Sequence, residues 1–216
     1  MNQEKRESLF SKKYLKLLKK PLNLNNPISV QVLGICSALA VTVQMKPAIV
    51  MALSVTVVTG FSCLIISSIR NTIAPNIRII VQLMVVAALV IIVDQILKAF
   101  VYDVSKKLSV YVGLIITNCI ILGRVEAFAM GNKPWASFID GIGNGFGYGL
   151  VLIIVSFFRE LLGSGKILGH QVIPKALYNA GYINNGLMIL PPMALIIIGV
   201  IIWIQRSKNP ELIDKG

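Results

Sequence analysis

Three cysteines and one histidine are this chain's candidate soft metal ligands: Cys36, Cys63, Cys119 and His170. A thiolate zinc site needs four ligands, and a haem at membrane depth wants axial His or Met. The only histidine follows Gly169 in a loop region, so haem and a self-contained zinc site are both disfavoured. An iron–sulfur cluster also takes four thiolates, and two cysteines could hold half of one while a partner subunit supplies the rest. Cys36 and Cys119 are the candidates for iron. Each falls in the middle of an unusually short apolar segment, in the same relative place in two halves of the chain. A lone helical cysteine is more often a small apolar filler. Cys63, inside a full-length apolar stretch with no counterpart in the second half, takes that reading.

The elements that must position such a pair are membrane-embedded. The 216 residues are 56% hydrophobic and only 14% charged, with a mean hydropathy of +0.78, far from the average of soluble domains. In so apolar a chain the net charge of +12 belongs to loops that set orientation, so no nucleic-acid partner is expected. Residues 1–24 are polar, rich in lysine and without an apolar core or an Ala-x-Ala site, which predicts an uncleaved basic cytoplasmic arm lying on the membrane surface. A six-segment membrane domain is predicted over 25–206, followed by a cytoplasmic tail over 207–216.

Against a span of about 20 apolar residues, four segments are near standard: Pro47 to Ile69, Ile77 to Phe100, Gly145 to Leu162 and Gly186 to Ile204. Ile28 to Val43 and Leu108 to Gly123 have about 16 residues each, near the lower limit for a spanning helix, and both read as broken helices. The order short, long, long repeats once, with a polar joint at Tyr102 to Lys107. Three crossings per half force the second half to enter from the opposite face. The predicted fold is therefore all-α, with six transmembrane segments in two inverted repeats, about 25–101 and 107–206, each opening on a short broken helix. Basic residues divide about two to one in favour of the side holding the N-terminal arm, which predicts both termini in the cytoplasm.

Other features carry less. Gly141, Gly143, Gly145, Gly147 and Gly149 alternate rather than follow a dinucleotide fingerprint, and such small residues let helices approach closely. Gly163-Ser164-Gly165-Lys166 lacks the first glycine and the Ser or Thr of a phosphate loop. One histidine and nine scattered acids offer no triad or carboxylate pair. Charges at membrane depth are candidates by default, which singles out Asp94, Arg124, Glu126, Arg159 and Glu160. For Arg159 and Glu160, near a helix end, snorkelling and pairing are the ordinary explanation. Arg124 and Glu126 directly follow the Cys119 segment, where they could neutralise a charged cluster or line an ion path.

Asn26-Pro27-Ile28 with Gln31 through Thr42, Val110 through Ile120, Gly123 through Ala129, Asp140 through Gly145, and Phe157-Phe158-Arg159-Glu160-Leu161 resemble the NqrDE/RnfAE family of membrane subunits. The likeness runs from about Asn25 to Arg206. Ile69 through Ile73, Asp94 through Ala99 and Asn144 through Gly149 are similar to the D branch found in the sodium-translocating NADH:quinone reductase, and Ser37 stands where a proline is expected in the Rnf branch. The resemblance implies a bacterial inner-membrane component of a six-subunit reductase, paired with an inverted homologue, the E subunit, and sharing a [2Fe-2S] cluster with it through Cys36 and Cys119. It further implies electron relay toward FMN and quinone coupled to sodium export, with FAD, FMN and riboflavin held outside this chain. A ferredoxin:NAD reductase component of the Rnf type, a non-redox transporter component and a structural scaffold are the alternatives.

Overall fold

Proline placement and glycine spacing set the helices that surround the cysteines. The computed structural model describes residues 18, 21, 26–100, 113–168, 170–171 and 186–208. Most of the basic arm, the joint at Tyr102 to Lys107 and the tail beyond Lys208 lie outside the described residues. Among the described residues the α-helices are α1 (Ile35–Val41), α2 (Met45–Ile69), α3 (Arg78–Phe100), α4 (Cys119–Arg124), α5 (Pro134–Ser164) and α6 (Pro191–Lys208). A π-helical turn, Val125–Ala129, continues α4, and 3-10 turns at Pro75–Ile77 and Gly186–Ile189 lead into α3 and α6. Strands β1 (Lys166–Ile167) and β2 (His170–Gln171) form a two-residue antiparallel pair after α5. That pair is the one departure from an all-α fold among these residues.

The centre of the molecule is the pair α2 and α5, and its closeness follows from the glycine row. A Cβ on Gly145 would lie 2.6 Å from Thr56 Cα, so only glycine lets the two backbones meet there. One turn to either side, Gly141 faces Thr59 and Gly149 faces Ala52. The small-residue reading of this stretch is borne out. The two threonines that face the glycine row are satisfied inside their own helix: Thr56 Oγ1 donates to Ala52 O at 2.7 Å and Thr59 Oγ1 to Val55 O at 2.6 Å, as burial away from water demands.

Among the described residues, three helical stretches are long and apolar enough to cross a membrane: Met45–Ile69, Pro75–Ala99 and Pro134–Ser164. The last begins well before the predicted Gly145. Pro134 takes the first helical turn, where its missing N–H costs nothing, and the polar turns that follow are neutralised within the fold, as the pairing of Asp140 shows below. The predicted Gly186 to Ile204 segment divides into a 3-10 turn and α6, because Pro191 and Pro192 suit a helix start but not its interior. Both segments expected to be short are interrupted. In the first, turns over 27–30 precede α1; in the second, residues 113–116 are helical, Thr117 and Asn118 leave the helix, and α4 resumes at Cys119.

Candidate functional site

Each cysteine opens a half-helix. Cys36 is the second residue of α1 and Cys119 the first of α4, so the expected mid-segment cysteines coincide with the two chain breaks. The breaks are made differently. Before α1 the chain turns through Val32 at φ +58° and Gly34 at φ +79°. A β-branched residue in that left-handed region is strained, and a side chain at Gly34 would also run into Ile120, with Cβ 2.7 Å from Cδ1. Asn26 organises the start of this turn: its Oδ1 accepts from Ile28 N at 3.0 Å and Ser29 N at 3.3 Å, while its Nδ2 donates to Gly147 O at 3.0 Å. Before α4 the backbone of Asn118 is extended, and its side chain caps the helix by accepting from Ile120 N at 3.2 Å.

The two breaks meet. Gly34, two residues before Cys36, packs on Ile120, directly after Cys119; Leu33 packs toward Gly123, whose added Cβ would lie 3.1 Å from Leu33 Cδ1. Ser37 and Asn118, the neighbours of the two cysteines, are both buried and are joined at 3.4 Å from Nδ2 to Oγ. Tyr148 of α5, fully buried, meets the same Ser37 oxygen at 2.6 Å. Ser37 in turn donates to Gly34 O at 2.9 Å. Meanwhile Cys36 and Cys119 are exposed on the chain's surface and Cys63 is buried. Two outward thiols beside one shared buried network is therefore the geometry. Among the described residues no group of three or more His, Cys, Asp or Glu is placed to hold a metal. The donor set on this chain fits half of a four-thiolate site completed from outside and does not fit a closed zinc site. Cys63, 0% exposed within α2, fits its reading as an apolar filler.

Four of the five charged candidates anchor these half-helices or the joint between α1 and α2. Arg124, at the end of α4, makes a bidentate pair with Asp140 of α5: Nε to Oδ2 at 2.9 Å and Nη2 to Oδ1 at 2.7 Å. Its guanidinium is thus committed within the chain rather than free to neutralise a cluster. Glu126, in the π turn, pairs with Arg78 and accepts from Gln82 Nε2 at 2.8 Å, both on α3. Asp94 pairs with Lys98 one turn along α3 at 2.6 Å.

Arg159 does not snorkel. It is 1% exposed and donates to Leu39 O, Thr42 Oγ1, Met188 O, Ile189 O and Leu190 O, the shortest contacts being 2.6 Å. Among the described residues it has no ion-pair partner; carbonyls at the end of α1 and before α6 take its N–H groups instead. Its neighbour Glu160 accepts from Met45 N at 2.6 Å and so caps α2. Together they hold both sides of the joint between α1 and α2.

Sequence reasoning leaves Asp140 and Tyr148 without roles and does not single out Asn26 or Asn118. A usable signal exists for the asparagines, since Asn before a helix start is a favoured cap. None exists for Tyr148, because its partner Ser37 stands 111 positions earlier and reaches it only through the packing of α1 on α5.

A family model described as Rnf-Nqr subunit, membrane protein, matches residues 14–202. A protein of Haemophilus ducreyi, named as the D subunit of the Na(+)-translocating NADH-quinone reductase, is 58% identical over 200 residues, covering 93% of this chain and 97% of that one. Proteins of the same name from Aeromonas hydrophila and Photobacterium profundum are 58% and 57% identical, covering 92% and 94% of this chain and 95% and 97% of their own.

Proposed function

Because the chain belongs to the Rnf-Nqr family of membrane-protein subunits, we propose that it is the D-type membrane component of a Na+-translocating NADH:quinone reductase. In this reading Cys36 and Cys119 hold one half of a [2Fe-2S] cluster, and an inverted homologous E subunit holds the other. When bound, such a cluster supplies one-electron transfer, here on the route toward FMN and quinone. The observation that carries the reading is the pair of exposed thiols at the heads of two half-helices whose adjacent residues, Ser37 and Asn118, are hydrogen-bonded to each other. The relatives are named for sodium, NADH and quinone, and FAD, FMN and riboflavin are assigned to the other four subunits of the complex.

The chain's own residues orient and shield. Tyr148, Ser37 and Asn118 fix the inner side of the cysteine pair, while Arg159 and Arg124 fix the far ends of the half-helices. With six segments in two inverted repeats, both termini in the cytoplasm and the whole in the bacterial inner membrane, the pair sits near mid-depth of a hydrocarbon core about 30 Å thick. A carrier there divides one long crossing into two shorter ones, and sodium export is coupled to that electron flow.

The test is chemical analysis of the co-expressed D and E pair. Iron, acid-labile sulfide and visible absorbance are expected in the wild type and lost in Cys36→Ala and in Cys119→Ala. A colourless, iron-free wild-type pair that still assembles speaks for a non-redox transporter component instead.

A further inference from the structure

The polar triad behind the cysteines has a donor and acceptor balance that closes. A serine hydroxyl offers one O–H and two lone pairs. Ser37 Oγ gives its hydrogen to Gly34 O, at 2.9 Å, which leaves both lone pairs free. Asn118 Nδ2 donates to that oxygen at 3.4 Å, and Tyr148 Oη, at 2.6 Å, fills the remaining place as the donor. Asn118 Oδ1 is already engaged by Ile120 N at 3.2 Å. One hydroxyl thereby joins the left-handed turn before Cys36, the cap before Cys119 and the central helix α5. Exposures of 3% for Ser37, 3% for Asn118 and 0% for Tyr148 leave no water to replace a missing partner.

We propose that Ser37 and Tyr148 are positioning residues for the cysteine pair. Through them the separation and direction of Cys36 and Cys119 are set by α5, a helix that carries no ligand. The inference rests on the reading of the two cysteines as metal ligands and adds to it what holds them in register. Outer groups of this kind orient the ligands, and their loss commonly costs about ten- to a hundredfold in metal affinity. The order of effects is specific. Tyr148→Phe removes one donor and leaves Ser37 bonded to Asn118 and Gly34. Ser37→Ala removes the shared acceptor of the Tyr148 hydroxyl and an Asn118 N–H at once, so it is the more damaging change.

The experiment uses the intact purified complex carrying Tyr148→Phe, Ser37→Ala, Ser37→Thr or, as reference, Cys36→Ala. Two quantities are read: the EPR g-values and line width of the cluster assigned to this site, and the rate at which its iron is lost to a chelator. Tyr148→Phe is expected to keep the signal with broadened lines and to lose iron about tenfold faster, Ser37→Ala to lose it faster still, and Ser37→Thr, which keeps the hydroxyl, to return toward wild type. Wild-type spectra and wild-type iron loss in both Tyr148→Phe and Ser37→Ala overturn the positioning role. Should Ser37→Ala fail to assemble, Tyr148→Phe decides alone. An unchanged signal in Cys36→Ala is a different result, which removes the ligand reading itself.

Discussion

The half-helix that carries Cys36, Ile35–Val41, and the one that begins at Cys119 are held by unlike means. The first enters through a strained left-handed turn at Val32 and Gly34 and is fixed at its far end by Arg159, which gives its N–H groups to Leu39 O and Thr42 Oγ1 without an acidic partner among the described residues. The second enters through an extended, side-chain-capped Asn118 and is fixed by a bidentate ion pair between Arg124 and Asp140, with Glu126 held by Arg78 and Gln82 beyond it. The two half-helices are thus anchored by different interactions.

This asymmetry can be broken at its anchors. Arg124→Met is expected to be the most damaging change, because it strands Asp140, whose side chain is 4% exposed, as an uncompensated buried carboxylate at a cost of about 3–5 kcal/mol. The double variant with Asp140→Asn should recover most of that loss, read as thermal stability of the complex in detergent. Arg159→Met leaves neutral carbonyls behind rather than a charge, so the loss should be smaller, about 1–3 kcal/mol in the same assay. Equal losses at the two arginines, with no recovery in the double variant, would mean that the halves are anchored alike after all.

The glycines sharpen the contrast. Gly34→Ala meets both a positive φ and an Ile120 atom at 2.7 Å, a combination expected to cost about 2–3 kcal/mol and to disturb the segment carrying Cys119. Gly123→Ala meets only the flexible end of Leu33 at 3.1 Å and should cost less than about 1 kcal/mol. Asn118→Ala removes a cap that the first half does not use together with the contact to Ser37, with an expected cost of at least about 1 kcal/mol. Thermal unfolding of the three variants side by side ranks them; a Gly123 effect as large as that at Gly34 would contradict the account of the first break.

What can be read in the amino-acid order is whatever leaves a local trace. The two interrupted segments show as apolar runs too short to span, and the glycine row of α5 shows as a run of small residues. Asp140 leaves no local trace of its burial, because the partner that neutralises it, Arg124, stands sixteen residues earlier. Arg159 misleads for the converse reason, since a charge near the end of an apolar run ordinarily reaches water, whereas here the carbonyls of Met188, Ile189 and Leu190 arrive from a distant part of the chain to take it. Ser37 stands out in the sequence only as the residue after Cys36; its place at the junction of α1, α5 and the break before α4 is visible only in space.

The central claim is that one thiol from each half ligates the same metal centre. EPR of the purified whole complex, wild type against Cys36→Ser and Cys119→Ser taken singly, tests it most directly. The account predicts that both substitutions abolish one and the same iron–sulfur signal while other centres of the complex keep theirs. A signal that survives either substitution with unchanged line shape and intensity contradicts it.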